Sequence, residues 1–328
     1  MIKITERLSR QWSRIGSRAT FGQAILLAAE SNPNLMVLTG DLGKSSGLDR
    51  FKNSHPEKFV NMGIAEQNMI GVAAGLAKEG FVVFASSFAP FITMRAAEQI
   101  RMNLGYMKLN VKAVSIGSGV SMTFLGNSHF GIEDAAVMRS IPNMTIVSPA
   151  DCAEIVKTVF AASEHKGPMY IRLTGEVGNP IVYRDDYDFQ IGKAITLLEG
   201  ADITIVANGT MVYESLEAAK ILQEQGIAAT VVNMHTLKPL DTGALDKAIA
   251  NTSLIVSVEE HNIIGGLGSA IAEYVSQVSS APSLTSIGLP DQYLISGDYR
   301  YILDKYGLVA EKIAARIQKT YKENNIKK

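Results

Sequence analysis

The chain has 328 residues, 47% of them hydrophobic and 19% charged, which is the balance of a globular protein of about two domains. Lys plus Arg number 31 against 32 Asp plus Glu, and a net charge of −1 offers no electrostatic footprint for nucleic acid or an acidic membrane. One cysteine, Cys152, excludes an intrachain disulfide and any cysteine-based zinc cluster, as expected in a reducing cytosol.

The N-terminus, MIKITERLSRQWSRIGSR, is charged and lacks the apolar stretch of a signal peptide, and no later run approaches a membrane span. The reading is a soluble, cytoplasmic chain. From there apolar blocks alternate with helix-like ones. TFGQAILLAAESNP reads as an amphipathic helix, LMVLTGD (35–41) and KFVNMG (58–63) as strands, and IAEQNMIGVAAGLAKEG (64–80) as a helix closed by Gly80. Further strands are expected at 81–87, 111–117, 144–149 and 169–173, with helices at 91–104, 131–139 and 151–164. Around 179–190 the pattern fails and charge rises. It resumes with strands at 203–209, 227–235 and 254–260, a helix at 211–226, another from about Ser269, and a closing helix after Leu308. Apolar strands alternating with helices predict an α/β fold of two tandem domains, each a mostly parallel sheet with helices on both faces. The boundaries read as 15–185, a linker over 186–194, and 195–328.

Three blocks carry candidate chemistry. In GIAEQNMIGVAAGLAKEG, Gly63 allows a tight turn and Glu66 falls in the first turn of a helix. One reading is a capping box; the other is a functional carboxyl at the edge of a parallel sheet, where ligands of open α/β sheets bind. In SSFAPFITMRAAEQIR (86–101), Phe88, Phe91 and Met94 recur every third residue. They form either a core-facing helical stripe or, with Pro90 starting the turn, a slot for a flat heterocycle. In GNSHFGIED (126–134), Gly126 and Asn127 suggest a turn presenting His129, as a surface residue or a catalytic one. His261, in EEHNIIGG, reads as structural or interfacial.

Taken together with Arg18, GDLGKSS (40–46), RSIPNMTIVSPAD (139–151) and VEEHNIIGGLG (258–268), these blocks resemble the second half of transketolase over residues 15–325. The resemblance implies a pyrimidine-binding domain followed by a transketolase C-terminal domain, and thiamine diphosphate with Mg²⁺ as cofactors. It implies that Glu66 hydrogen-bonds ring nitrogen N1′ and so promotes loss of the C2 proton. Phe88, Phe91 and Met94 would contact the cofactor. His129 would meet the ketol oxygens of the substrate, and Arg18 and Ser45 would hold the acceptor's terminal anion. Departures at Gly117, Leu125 and Gly175, where the family usually has His, Asp and Arg, point away from ordinary pentose phosphates and toward a sulfonated or branched sugar.

Mg²⁺-bound diphosphate needs hard oxygen ligands, typically from a GDG…N loop. No GDG occurs in the chain, so no metal ligand is assigned to it. The resemblance therefore implies an N-terminal partner subunit that anchors the diphosphate and Mg²⁺, within a heterotetramer that also contains a homodimer of this chain. The expected activity is transfer of a two-carbon ketol unit from a ketose to an aldose. The rivals are the beta subunit of a 2-oxo-acid dehydrogenase and a non-catalytic subunit that only pairs with a true enzyme subunit.

Overall fold

A computed structural model describes residues 2–326. The strands of the first half are β1 (Leu35–Thr39), β2 (Phe59–Asn61), β3 (Val82–Phe88), β4 (Val111–Ile116), β5 (Thr145–Val147) and β6 (Met169–Leu173). Those of the second are β7 (Ile195–Leu198), β8 (Ile203–Ala207), β9 (Ala229–Asn233), β10 (Thr236–Lys238), β11 (Leu254–Asn262) and β12 (Ser283–Leu289). They build two sheets, in the orders β10-β5-β6-β4-β3-β1-β2 and β12-β11-β8-β9-β7. Among the described strands only β10 on β5 and β7 on β9 pair antiparallel. Every residue of β4 and β11 is buried, as in parallel sheets covered on both faces. The two-sheet α/β architecture is the one expected from the alternation of apolar blocks.

Several elements differ from that expectation. The first helix starts at Glu6, well before Thr20, and Thr5 caps it by accepting from the Leu8 N–H. Its early turns are charged on one side but bury Trp12 on the other. The helix breaks at Gly16 (φ 80°, ψ 173°), where a Cβ would lie 2.8 Å from the Glu176 carbonyl oxygen. No side chain fits there, which makes glycine the residue that lets the 175–178 backbone approach. The segment read as a helix over 91–104 is largely π-helical, at Phe91–Arg95 and Ile100–Tyr106. Widened turns of this kind favour functional sites.

The two halves meet along a tight seam. Strand β10 leaves the second half to close the edge of the first sheet, and its last residue, Lys238, donates to the Arg139 and Ile141 carbonyls at 2.8 and 2.6 Å. The stretch 179–194 packs against the Cys152–Glu164 helix: Asp151 accepts from the Val182 and Tyr183 N–H groups, and Tyr183 stacks on Tyr187 at 3.8 Å. His261 lies in the seam, fully enclosed, with Nδ1 2.7 Å from the Asn262 carbonyl.

Glu154 sits at the centre of this packing and accepts from the Ala150 N–H and twice from the Asn233 amide. Burial pushes its carboxyl up to about 7 despite these donors. A carboxyl raised on folding contributes fully below its ordinary value of 4.5, and that contribution is lost as pH rises through about 7. Glu154→Gln is therefore expected to remove a loss of stability that the wild type shows between about pH 5 and pH 8. Glutamine fits because Asn233 Oδ1 lacks a partner and can accept its amide after a flip. Melting curves at both pH values check this, and parallel shifts in the two proteins would contradict it.

Candidate active site

Strand β1 is followed on one side by β2 and on the other by β3, so the connectivity reverses between β1 and β3. Ligands of open α/β sheets bind in the crevice at the carboxyl ends of strands flanking such a point. Glu66 occupies this position. After the left-handed turn at Gly63 (φ 70°), Ala65 starts the helix and Glu66 is its first residue. The side chain is 1% exposed and touches no backbone amide. The capping-box reading therefore fails, and the carboxylate turns inward instead. Oε1 accepts from Ser87 Oγ at 2.8 Å, and Oε2 accepts from Arg95 Nη1 at 2.6 Å. Gly40, at the end of β1, leaves open the space beside it: a Cβ there would sit 3.3 Å from Glu66 Oε1.

The aromatic residues converge next to this carboxylate. Phe88 is the last residue of β3, and Phe91 opens the π-helical turn that Pro90 starts. Their ring centroids are 6.1 Å apart, and the His129 ring lies 5.3 Å from Phe88 and 5.0 Å from Phe91, all edge to face. The helical-stripe reading of Phe88, Phe91 and Met94 does not hold, since Phe88 ends a strand and Met94 faces out. Arg95 joins the two groups, since its guanidinium also covers the Phe91 ring at 4.1 Å. Burial, followed by the Arg95 charge, lowers the His129 imidazole from its ordinary 6.5. A neutral imidazole both donates and accepts a hydrogen bond near neutral pH. Ser128 Oγ lies 2.9 Å from its Nδ1.

Arg18 and Ser45 come together elsewhere. They line a cavity of about 370 Å³ with Lys44 and Glu176, beneath the Gly16 break in the first helix. Glu176 is raised by burial and by Asp298, while the Arg18 charge lowers it. Arg18 and Glu176 thus bring opposite charges to one cavity. Met94 is 44% exposed and stands outside the ring cluster. Among the described residues no group of three or more His, Cys, Asp or Glu is placed to hold a metal ion. Asp41 of the GDLG loop instead accepts from Asn61 at 2.8 Å.

The structure thus groups Glu66, Phe88, Phe91 and His129 around Arg95, a residue the sequence reading passed over along with Ser87, Lys44 and Glu176. The arginine follows Phe91 by one helical turn, a spacing that places both on one side, but nothing local to it pointed to Glu66, 29 residues earlier.

Comparisons with known proteins show the family of both halves of the chain. Residues 13–177 match the transketolase pyrimidine-binding domain and residues 192–313 the transketolase C-terminal domain. The chain is 36% identical over 321 residues to a 6-deoxy-6-sulfo-D-fructose transketolase subunit of Clostridium sp. strain MSTE9, covering 98% of each. It is 38% identical over 300 residues to an apulose-4-phosphate transketolase subunit of Phocaeicola vulgatus, covering 91% of this chain and 95% of that one. Among solved structures, a split gene transketolase described as an inactive beta4 tetramer superposes with a TM-score of 0.85 at 44% identity, over 94% of this chain and 99% of that one.

Proposed function

The chain belongs to the transketolase family, and from that premise we propose that it is the catalytic subunit of a split transketolase that moves a two-carbon ketol unit from a ketose to an aldose. The observation that carries this reading is the buried Glu66 carboxylate beside Phe88 and Phe91 at the carboxyl edge of the sheet. These residues fit the aminopyrimidine end of thiamine diphosphate: a carboxyl for a ring nitrogen, two aromatic walls, and side-chain-free space at Gly40. Bound there, the coenzyme supplies the electron sink for carbon–carbon cleavage.

In this proposal Ser87 would hold the Glu66 carboxyl in place and Arg95 would balance its charge, so that Glu66 could offer an oxygen to a ring nitrogen of the cofactor. Met94, exposed on the same turn, is an outer contact for the cofactor. His129 donates to or accepts from the ketol oxygens. Arg18, Lys44 and Ser45 attract the terminal anion of the sugar, while Glu176 faces them across the cavity. A non-standard sugar, sulfonated or branched, agrees with the two named relatives, one a sulfofructose and the other an apulose-4-phosphate transketolase subunit.

We assign the Mg²⁺ and diphosphate ends to an N-terminal partner, in a cytoplasmic heterotetramer built around a homodimer of this chain. Support comes from the lack of a GDG sequence in the chain and from the neighbour described as an inactive beta4 tetramer. We also propose 15–185 and 195–328 as the two functional domains, with 186–194 between them. Purified alone, the chain is expected to bind thiamine diphosphate weakly by calorimetry and to release no aldehyde from any ketose. Mixed with a partner carrying GDG…N, it should bind the cofactor tightly and release aldehyde from its ketose. Tight binding by the chain alone would refute the shared site, and a cofactor-loaded complex inert toward phosphorylated and sulfonated ketoses would refute ketol transfer.

A further inference from the structure

The loop that carries His129 is held mainly by the other half of the chain. It leaves β4 at Gly117 and ends at Asp134. Near its start the Val120 N–H donates to Glu260 Oε1 at 2.7 Å, and the Thr210 and Tyr299 hydroxyls fix the opposite oxygen, each at 2.6 Å. Gly119 presses so closely that a Cβ there would stand 2.1 Å from Glu260 Oε1. In the middle of the loop the Asn127 side chain matches the Leu294 backbone in both directions: Nδ2 donates to the carbonyl at 2.7 Å and Oδ1 accepts from the N–H at 2.8 Å. At the far end the Asn262 N–H donates to the Ile132 carbonyl at 2.8 Å. Arg172 Nη2 there joins the Gly131 and Glu260 carbonyls, at 3.0 and 2.7 Å. His129 stands between the middle and end ties, so the place of its ring against Phe88 and Phe91 depends on residues of the second sheet and of the 290–299 loop.

We infer that the second half of the chain is the template that positions His129, with Asn127 and Glu260 as its positioning residues. The inference rests on His129 contacting the substrate, as proposed above. The halves also adhere along the rest of the seam, through β10 and the 179–194 stretch, but only at this loop do the ties hold a functional side chain. Both ends and the middle of the loop are tied, and the Asn127 tie is two-pronged on a partly exposed segment. That placement adds little to burial but a great deal to orientation.

The test uses the complete two-subunit complex. Asn127→Ala is expected to lower kcat about tenfold or more, while thiamine diphosphate affinity changes less than about twofold. Tyr299→Phe, at the Glu260 end, should produce a smaller loss of the same kind. In a His129→Ala background Asn127→Ala should add almost nothing, because the two act through one group. Multiplying losses in that double variant, or an unchanged kcat in both single variants, would overturn the inference. Amide exchange over Gly126–Gly131 gives a readout free of turnover: it should quicken in Asn127→Ala, and unchanged exchange would also overturn it. A wild-type complex without ketol transfer would reject the functional reading instead, leaving the exchange result to judge the tether.

Discussion

Glu66→Gln is expected to lower ketol transfer by the complete complex by about 10²- to 10⁴-fold, the range a single proton-handling group supplies. Glutamine keeps the shape of the side chain, and its carbonyl can still accept from Ser87, which lies 2.8 Å from Oε1 in the wild type. It loses only the charge that Arg95 meets at 2.6 Å and the capacity to share a proton with a ring nitrogen. Arg95 is 42% exposed, so solvent takes up much of its orphaned charge and the fold should survive. The check is kcat on the reconstituted pair together with a thermal melt of each protein. A variant that folds and turns over near the wild-type rate would remove Glu66 from the chemistry and take the proposed cofactor geometry with it.

The largest stability effect belongs to Arg172. Its Nε donates to both oxygens of Asp134 at 2.9 Å, and both side chains are 1% exposed. Tyr170 adds a hydroxyl to the same carboxylate at 2.6 Å. Burial alone would push Asp134 up, yet the Arg172 charge, His261 and the Tyr170 hydroxyl together outweigh it and hold the carboxyl below its ordinary value. Arg172→Met should therefore strand a buried carboxylate and cost about 3–5 kcal/mol. Because Asp134 is lowered on folding, the stability it contributes is present above its unfolded value and is lost in acid. Pairing the variant with Asp134→Leu should recover part of the loss, since replacing both members of a buried pair is milder than removing one. Urea unfolding midpoints decide this; equal stability of wild type and Arg172→Met would show that the pair carries no weight.

Much of the architecture was legible because strands such as 111–117 and 169–173 are mostly apolar runs, Lys112, Ser115 and Arg172 apart, that suit a sheet covered on both faces. Glu66 was legible as a carboxyl after a glycine turn, and the resemblance implied its inward aim, though not the partners that fix it. That aim depends on Ser87 and Arg95, which reach it from separate elements. Thr236–Lys238 went unread because three residues hold no periodicity, and their pairing with β5 spans nearly 90 positions of sequence. The early turns of the first helix were masked by their charges, which occupy the face opposite Trp12. His261 was expected to be structural or interfacial, and its enclosure between Asp134 and Glu259 agrees with that reading.

The crossing of β10 makes the seam a poor place to divide this molecule. A fragment ending near residue 190 would leave β5 as a bare strand edge, with N–H and C=O groups that β10 meets in the intact chain. Such an edge invites strand addition from neighbouring molecules, so the cofactor-side fragment made alone should clump where the intact chain stays dispersed. Anyone swapping cofactor-side halves between relatives would do better to carry Thr236–Lys238 along with them.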